Sequence, residues 1–430
     1  MTNNEKKYSL DSAKAKDLTD PLREYRNRFV HGDENLIYLD GNSLGRLPLG
    51  SKGLIDRVVN EQWGDKLIRS WNSDWMDINR RIGQKISRLI GAKPHEVILT
   101  DSTSLNLFKL AYGSLKLQGE GRTRIVSDEI NFPSDLYILQ GLIDIYGNRH
   151  ELALAKSYDG IIVKENDISS LINHDTSLVS LSYVSFKSAF KYDMSAITKI
   201  THDFGAHIIW DLSHAVGAVP VNLNECNADM AVGCTYKYLN GGPGSLAFLY
   251  VREDLQDKIT NPVWGWFADQ NPFEFQNNFR PSADINRYMT STTPILSAAT
   301  VEPGVDILLE AGVENVRSKS IQLSEYLIYL FDQWLAPLGF SLGSPRNPDV
   351  RGSHISMRHN EAYRISQSLI HPGGDQATII PDFREPDILR LGITPLYTRF
   401  TDIYHSIIRI VEIVETCEYE RHSEERIKVT

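Results

Sequence analysis

The sequence predicts an α/β fold in which a mostly parallel, seven-stranded sheet lies between helices and a smaller α+β domain follows. Two observations support this prediction. Short β-rich runs alternate with stretches of helical spacing through the middle of the chain. From about Ile307, long amphipathic segments replace that alternation. Alternating strands and helices are typical of parallel sheets, which bind ligands at the carboxyl ends of their strands.

Seven apolar runs are the predicted strands of this sheet. The first two, EVILT and RIVSDE, precede stretches of helical spacing, SLNLFKLAYGSL and FPSDLYILQGLIDIYG. The runs occupy residues 96–100, 124–129, 150–155, 177–185, 207–213, 230–235 and 245–251.

The C-terminal part of the chain has a different pattern. Residues 306–339 predict a long amphipathic helix, SHISMRH predicts a strand, and FTDIYHSIIRIVEIVETCEYERH predicts a final helix. We therefore predict three parts: an N-terminal segment, residues 1–50, that packs with the small domain, a large domain, residues 51–306, and the small α+β domain, residues 307–430.

Composition and charge limit the possible functions. The chain has 430 residues, of which 41% are hydrophobic and 23% charged, and its formal net charge is −10. This acidic balance argues against nucleic acid as a main partner. The polar N-terminus and the lack of an apolar run of about 18 residues predict no signal peptide and no membrane span, so a cytoplasmic protein is expected. The three cysteines have no CxxC spacing and predict neither a disulfide framework nor a metal site: Cys226, Cys234 and Cys417.

Hydroxyl and aromatic residues follow the first two predicted strands. Thr103 and Ser104 open a helix after the first strand, where hydroxyls either cap the helix or help to form an anion site. After the second strand comes NFPSD, in which Phe132 either presents an aromatic face or belongs to an ordinary turn.

A carboxylate and a lysine follow two later strands. Asp211 follows the apolar run HIIW, with His214 three residues further on, and Lys237 follows MAVGCT. Asp211 either caps the next helix or is a buried carboxylate that needs a partner. The 26 residues from Asp211 to Lys237 correspond to about one strand–helix–strand unit, so both side chains can stand at the same sheet edge. A lysine at the end of a buried strand is costly unless it is neutralised or bonded.

Together these residues predict a site for pyridoxal phosphate. The aldehyde of this cofactor bonds to a lysine, its ring nitrogen needs a carboxylate, and its phosphate needs helix N–H groups and hydroxyls. Lys237, Asp211 and the pair Thr103–Ser104 supply these groups, and Phe132 can stack on the ring. Three glycines next to the lysine allow close approach of the backbone: Gly241, Gly242 and Gly244.

Four motifs resemble those of the kynureninases, pyridoxal phosphate enzymes of fold type I and of the aminotransferase class V type. They are YLDGNSLGRLP, WDLSHAVGAVPVNL, CTYKYLNGGPG and LRLGITPLYTRF, and they extend from about Tyr38 to Phe400. The resemblance implies hydrolytic cleavage of the Cβ–Cγ bond of L-kynurenine or 3-hydroxykynurenine, which yields an anthranilate and L-alanine. It leaves open whether the chain serves tryptophan catabolism, NAD biosynthesis or a secondary pathway.

The resemblance also implies residue roles. Lys237 is the lysine that binds the cofactor aldehyde and the base at Cα, Asp211 is the partner of the ring nitrogen, and Tyr236 is a proton donor or a phosphate ligand. Arg390 holds the substrate carboxylate. A homodimer is implied, because two of the cofactor contacts, Trp266 and Thr292, come from the neighbouring subunit in this family. The remaining expected contacts are Thr103, Ser104, Phe132, Asp135, Ser182 and His214 for the cofactor and Ser43 and Trp71 for the substrate.

One segment departs from the family pattern. Bacterial kynureninases usually read close to NYRTG where this chain has SFKSA, so that Lys187 replaces arginine and Ala189 replaces glycine. Arginine and lysine differ where planar pairing matters, and a ring-substituted kynurenine is therefore an alternative substrate. His354, without metal spacing around it, is expected to be a surface or core residue, and Arg384 is expected to be solvated or salt-bridged.

Three other classes of function remain as alternatives. A cysteine desulfurase or aminotransferase of the same fold is the first, although Cys226 is the only cysteine predicted to lie on a loop. An inactive relative that binds pyridoxal phosphate is the second. A purely structural α/β protein is the third.

Overall fold

The computed structural model describes residues 8–426. Its strands are β1 (Leu36–Tyr38), β2 (Val97–Leu99), β3 (Arg124–Asp128), β4 (Glu151–Ala155), β5 (Thr176–Ser182), β6 (His207–Asp211), β7 (Met230–Gly233), β8 (Phe248–Val251), β9 (Ser341–Leu342), β10 (Ile355–Arg358), β11 (Thr378–Ile380), β12 (Asp382–Arg384) and β13 (Ile388–Leu391).

The α-helices of the described residues surround these strands. They are α1 (Leu10–Thr19), α2 (Leu49–Arg57), α3 (Ile78–Leu89), α4 (Thr103–Gln118), α5 (Pro133–Ile145), α6 (Glu165–Ser169), α7 (Met194–Asp203), α8 (Ile295–Ala311), α9 (Val313–Leu330), α10 (Ala362–Ile370) and α11 (Phe400–Glu415).

The central sheet has seven strands in the order β2-β8-β7-β6-β5-β3-β4. The strands β3 to β7 pair in parallel, and β8 is antiparallel to both β7 and β2. All seven predicted strands lie in this sheet. The predicted α/β fold with a mostly parallel sheet is therefore confirmed.

Alternate residues of the central strands point into different apolar cores, as the two-residue period of a strand requires. Ile209 of β6 lies in one core, with residues of α4 and α5, while Ile208 and Trp210 lie in the other, with residues of α3, α7 and α8. Helices therefore cover both faces of the sheet, and the buried strands read as continuous apolar runs for this reason.

The pairing of the central strands places their carboxyl ends side by side. Ser182, the last residue of β5, is in register with Asp211, the last residue of β6. Asp211 in turn is in register with Val232 of β7, five residues before Lys237. Strand pairing alone therefore places Ser182, Asp211 and the lysine segment at one edge of the sheet.

The C-terminal part is built on a second, antiparallel sheet of the order β12-β13-β10-β9. The N-terminal segment packs against this part of the molecule. β1 pairs with β11, and Asp17 of α1 accepts hydrogen bonds from Phe400 N at 2.7 Å and Thr401 Oγ1 at 2.6 Å at the start of α11. The predicted domain boundaries stay predictions. Helix α8 runs through residue 306 without a break, and residues 1–7 lie outside the described residues.

The predicted long helix after residue 305 is interrupted in the structure. Gly312, with φ of +79°, ends α8, and α9 begins at the next residue. A left-handed residue ends a helix and changes the chain direction, which glycine does at little cost. None of the helices between residues 8 and 426 is both long enough and apolar enough to cross a membrane.

Candidate active site

Lys237 lies in the loop after β7, with its side chain partly buried. Its Nζ atom is 2.9 Å from Nε2 of His214, 5.6 Å from the centroid of the Phe132 ring and 5.9 Å from that of Tyr236. Within residues 8–426 the lysine forms no ion pair with a carboxylate. An amine in this position is available for covalent chemistry.

A glycine of the N-terminal segment allows close packing against the lysine loop. Gly45 N donates to the carbonyl of Tyr236 at 2.8 Å. A Cβ atom on Gly45 would lie 2.4 Å from the carbonyl oxygen of Lys237 and 2.4 Å from Oδ1 of Asn240. Gly45, the second glycine of the motif YLDGNSLGRLP, is therefore required because its backbone contacts the lysine loop.

Asp211 is a buried carboxylate on the strand next to the lysine segment. Its Oδ1 atom accepts hydrogen bonds from the backbone N–H of Ser213 at 2.8 Å and from its hydroxyl at 2.6 Å, which fixes the orientation of the carboxylate. Burial raises the pKa of Asp211, while the bonds from Ser213 and the charge of Lys237 act in the opposite direction. A carboxylate held in this way can pair with the N–H of an aromatic ring.

Two further predicted residues line the same sheet edge. The hydroxyl of Ser182 donates to Oδ1 of Asn131 at 2.7 Å. Asp135, in the first turn of α5, is buried, and burial together with the charge of Asp211 raises its pKa well above the usual value. Burial and the charge of Asp211 therefore favour the protonated form of Asp135.

The N-termini of two helices meet at this edge. Ser102 caps α4 by accepting a hydrogen bond from Leu105 N at 3.3 Å, which leaves Thr103 and Ser104 in the first turn. The hydroxyl of Ser104 lies 2.8 Å from that of Ser134 in the first turn of α5. The unpaired N–H groups and the positive ends of two helices therefore converge with hydroxyls, a combination that binds phosphate.

These residues fit pyridoxal phosphate. An amine without an ion pair, a buried carboxylate, an aromatic ring and two helix N-termini correspond to the aldehyde, ring nitrogen, ring face and phosphate of the cofactor. Beside the lysine, the Nδ1 atom of His214 is buried without a hydrogen-bond partner among the described residues. A buried polar atom of this kind calls for a partner.

Arg390, in β13, is buried close enough to the lysine site for its charge to act on His214. Its Nη2 atom lies 2.5 Å from Asp382 Oδ2 and donates to Ser43 Oγ at 2.9 Å, and its Nη1 atom donates to the carbonyl of Phe186. Arg384 donates to the same Asp382 through Nε at 2.8 Å. Two guanidinium groups thus share one carboxylate, which leaves a net positive charge for an anionic ligand.

The two halves of the site are connected through Phe186. Its ring makes an edge contact with that of Phe132, with the centroids 5.2 Å apart, and its carbonyl binds Arg390. The lysine and the arginine therefore border one cleft between the large sheet and the small sheet.

The structure does not bring three of the predicted site residues into contact with Lys237. Trp71 and Trp266 both contact Phe267, with ring centroids 5.7 and 4.8 Å apart, and Thr292 is exposed. Within residues 8–426 no hydrogen bond, ion pair or ring contact connects these three residues to Lys237. Their roles stay predictions.

Several residues of the cleft were not expected from the sequence. Ser134 stands in the motif FPSD, where a hydroxyl in the first turn of a helix was a usable signal. No comparable signal in the sequence indicated a role for Asp382 or for the side chain of Asn131. His354, expected at the surface or in the core, is fully buried with its ring centroid 5.6 Å from that of His214.

The sequence of the chain is similar to those of known protein families. Residues 68–360 match the family described as aminotransferase class-V, and residues 316–410 match that described as kynureninase C-terminal domain. The chain is 42% identical over 405 residues to a kynureninase of Pseudomonas fluorescens, which covers 93% of this chain and 94% of that protein. It is 40% identical over 410 residues to a kynureninase of Burkholderia pseudomallei, with 94% and 95% coverage.

Solved structures with the same fold are more distant in sequence. A cysteine desulfurase from Thermococcus onnurineus NA1 superposes with a TM-score of 0.78 at 18% identity, over 91% of this chain and 98% of that one. A variant of C-DES with glycine covalently linked to the pyridoxal phosphate cofactor gives 0.76 at 16% identity, over 90% and 99%. These likenesses confirm the fold of the chain.

The expected cofactor and reaction are confirmed as well. The cofactor is pyridoxal phosphate, and the chain is a hydrolase that acts on carbon–carbon bonds. Because relatives with at least 40% identity cover almost its whole length, the chain belongs to the kynureninase family.

Proposed function

We propose that the cleft between Lys237 and Arg390 carries out the hydrolytic cleavage of the Cβ–Cγ bond of L-kynurenine and 3-hydroxykynurenine. The observation that carries the proposal is the arrangement at the sheet edge. A lysine without an ion pair stands beside a buried carboxylate on the adjoining strand, with an arginine across the cleft. When bound, pyridoxal phosphate supplies an acceptor for the electrons released at Cα.

Arg390 binds the α-carboxylate of the substrate. Its guanidinium is fixed by Asp382, Ser43 and the carbonyl of Phe186. A guanidinium held in one orientation pairs with a carboxylate at little further entropic cost. The α-amino group and Cα of the substrate are thereby directed towards Lys237.

Lys237 holds the cofactor through its aldehyde in the resting enzyme and removes the Cα proton of the substrate when its amine is free. The neighbouring His214 supports this role, because burial and the charge of Lys237 lower the pKa of His214 well below its usual value. A neutral imidazole accepts a hydrogen bond from the lysine and does not repel it. Asp211 keeps a proton on the ring nitrogen of the cofactor.

Tyr236 delivers a proton to Cβ of the substrate. Water adds to the γ-carbonyl, the Cβ–Cγ bond breaks with its electron pair remaining on Cβ, and the phenol of Tyr236 protonates that carbon. The neighbouring Cys234 and, to a smaller extent, burial raise the pKa of Tyr236. The phenol is therefore protonated at neutral pH. Lys237 returns the proton to Cα, and the added water supplies the proton that restores the phenol of Tyr236. The products are an anthranilate and alanine.

The segment 185–189 is a candidate for control of substrate preference. Its Phe186 binds Arg390, and Ala189 has φ of +63°, a region that favours glycine. Side-by-side measurement of kcat/KM for kynurenine, 3-hydroxykynurenine and a ring-methylated kynurenine tests the substrate proposal. A kcat/KM for the methylated compound above both others would favour the ring-substituted alternative.

The role of Lys237 has a direct test. K237A is expected to fold and to lose both the visible absorption band of the lysine-bound cofactor and turnover of kynurenine. K199A, at an exposed lysine paired with Asp203 at 2.6 Å, serves as the control and is expected to retain both. Retention of the band in K237A would overturn the assignment.

A homodimer with shared active sites completes the proposal. An apolar groove of about 570 Å³ runs between the segment around Trp63 and the start of α8, and Trp63 and Ile68 on its rim are 59% and 77% exposed. Large exposed apolar patches are typical of subunit interfaces. Thr292 lies three residues before α8, next to this groove, and Trp266 is also exposed.

Mixed subunits test the sharing of sites. K237A and W266A are each expected to be inactive alone. When they are unfolded together and refolded, mixed dimers with one intact site are expected to restore about a quarter of the activity. If the mixture stays inactive, Trp266 does not act in the neighbouring site. A monomer in sedimentation would contradict the dimer itself.

A further inference from the structure

His354 is an unexplained polar residue in the wall of the cleft. It directly precedes β10, and its side chain is 0% exposed. Neither ring nitrogen makes a hydrogen bond of normal geometry among residues 8–426, and the backbone carbonyl of Phe186 beside the ring can occupy at most one of the two nitrogens. Its ring centroid lies 5.6 Å from that of His214, with the ring planes at 64°. Buried polar atoms in native proteins are almost always paired, so these nitrogens call for a function.

His214 has an unmet requirement of the complementary kind. Its Nε2 atom is 2.9 Å from Nζ of Lys237, and its Nδ1 atom is buried without a partner. A neutral imidazole carries a proton on one nitrogen only. When Lys237 donates to Nε2, the proton must sit on Nδ1, which becomes a buried donor in need of an acceptor.

The charges around the two rings keep them neutral. The groups that face them are Lys237 from the loop after β7, Arg384 from β12 and Arg390 from β13, with Asp382 paired to both arginines. Burial and these cations lower the pKa of both histidines well below the usual value. A neutral His354 has a nitrogen lone pair that can accept a hydrogen bond.

We propose that His354 is a positioning residue for the reaction, which accepts the Nδ1–H of His214 through one bridging water. His354 thereby holds His214 in the tautomer whose Nε2 atom accepts from Lys237. The inference rests on the proposed role of Lys237 and deepens it. It adds a residue of the small domain to the control of a proton in the large domain.

Loss of the acceptor has a definite consequence. Without it, a proton on Nδ1 of His214 is unsatisfied, and the tautomer with the proton on Nε2 becomes favoured. Nε2 then no longer accepts a hydrogen bond from the Lys237 nitrogen. The protonated form of that nitrogen is stabilised less, so its pKa in the holoenzyme falls.

The pH titration of the visible absorption band of the holoenzyme tests this relationship. H354M replaces the imidazole by an apolar side chain of similar size. We expect this variant to lower the apparent pKa of the band by about half a unit or more. We expect H354Q, which keeps an acceptor, to stay within about 0.2 units of the parent protein. H359M serves as the matched control, because His359 stacks on Phe340 away from the cleft.

A double-mutant cycle shows whether His354 acts through His214. In an H214F background, H354M is expected to cause no further shift. The proposal would be overturned if the apparent pKa of the band in H354M equalled that of the parent protein. It would also be overturned if H354M shifted this pKa equally with and without His214. H354F, the second variant without an acceptor, decides the question if H354M does not fold. If K237A loses the band while the apparent pKa of the band in H354M equals that of the parent protein, the proposed function stands and only the role of His354 is refuted.

Discussion

Arg390 and Asp382 form an ion pair of 2.5 Å in which both side chains are almost completely buried. Breaking a buried pair is costly, so this contact fixes the guanidinium before any substrate arrives. Arg384 shares the same carboxylate at 2.8 Å. As long as the nearby Asp40 is protonated, the cleft therefore presents two positive charges against one negative charge, a balance that favours an amino acid with a free carboxylate.

Replacement of Arg390 by lysine tests this function. An ammonium group cannot keep the contacts with Asp382, Ser43 and Phe186 and also pair with a carboxylate through two bonds. R390K is expected to lower kcat/KM about 100-fold, mainly through KM, corresponding to about 3 kcal/mol of lost binding. R384K, at the outer arginine, is the control and is expected to cause a smaller change. An unaltered KM in R390K would contradict the assignment.

Asp40 predicts a pH dependence of substrate binding. Burial and the neighbouring Asp382 raise its pKa from the usual 3.8 to about 7, and its Oδ1 atom is buried without a partner among residues 8–426. The folded protein therefore binds this proton more tightly than the unfolded chain does. The stabilisation of the folded state by the proton is complete below the usual pKa of 3.8 and is lost as the pH rises through about 7. Ionisation adds a negative charge next to Arg390 and weakens its attraction for the substrate carboxylate.

The expected result is a KM that rises by up to about tenfold as the pH passes through 7. In D40N, which cannot ionise, KM is expected to stay flat over the same range. Steady-state kinetics from pH 6 to 8.5 on both proteins makes the comparison. The same rise in D40N would assign the titration to another group.

Tyr236 is expected to affect turnover and not binding. Its phenol is protonated at neutral pH, because the neighbouring Cys234 and burial raise its pKa. Y236F removes the proton donor and is expected to lower kcat by a factor of about 100 or more, with little change in KM. The control is Y146F, because the hydroxyl of Tyr146 donates to the Tyr112 carbonyl at 3.2 Å near the surface. If kcat in Y236F equals that of the parent protein, the hydroxyl has no catalytic role.

Gly45 predicts a coupling between the N-terminal segment and cofactor binding. A Cβ atom at this position would come within 2.4 Å of the Lys237 carbonyl, so G45A must displace the lysine loop. We expect the Kd for pyridoxal phosphate to rise about tenfold or more, because a site displaced by even a fraction of an ångström loses pairing geometry. G53A, at a helical glycine with nothing within 4 Å of its added Cβ, should bind the cofactor normally. Equal Kd values for the two variants would contradict the coupling.

Much of the fold could be predicted from the sequence. The strands of the central sheet are buried on both faces and therefore appear as short apolar runs, which local composition reveals. Lys237, Asp211 and Ser104 were predicted together for a related reason. Parallel strands end at the same edge, so residues that follow successive strands must lie near each other. The break at Gly312 was missed, because an isolated glycine in an apolar helical pattern gives only a weak signal.

The remainder of the cleft was decided by tertiary structure alone. Asp382, His354 and Asp40 lie 145, 117 and 197 residues from Lys237 along the chain, and the local sequence around them does not show that they approach the lysine. They reach the cleft because the small antiparallel sheet and the N-terminal segment pack against the edge of the large sheet. Local periodicity therefore determined the strands and the residues at their ends. The packing of distant segments, driven by burial of apolar surface, decided which charges and imidazoles surround them.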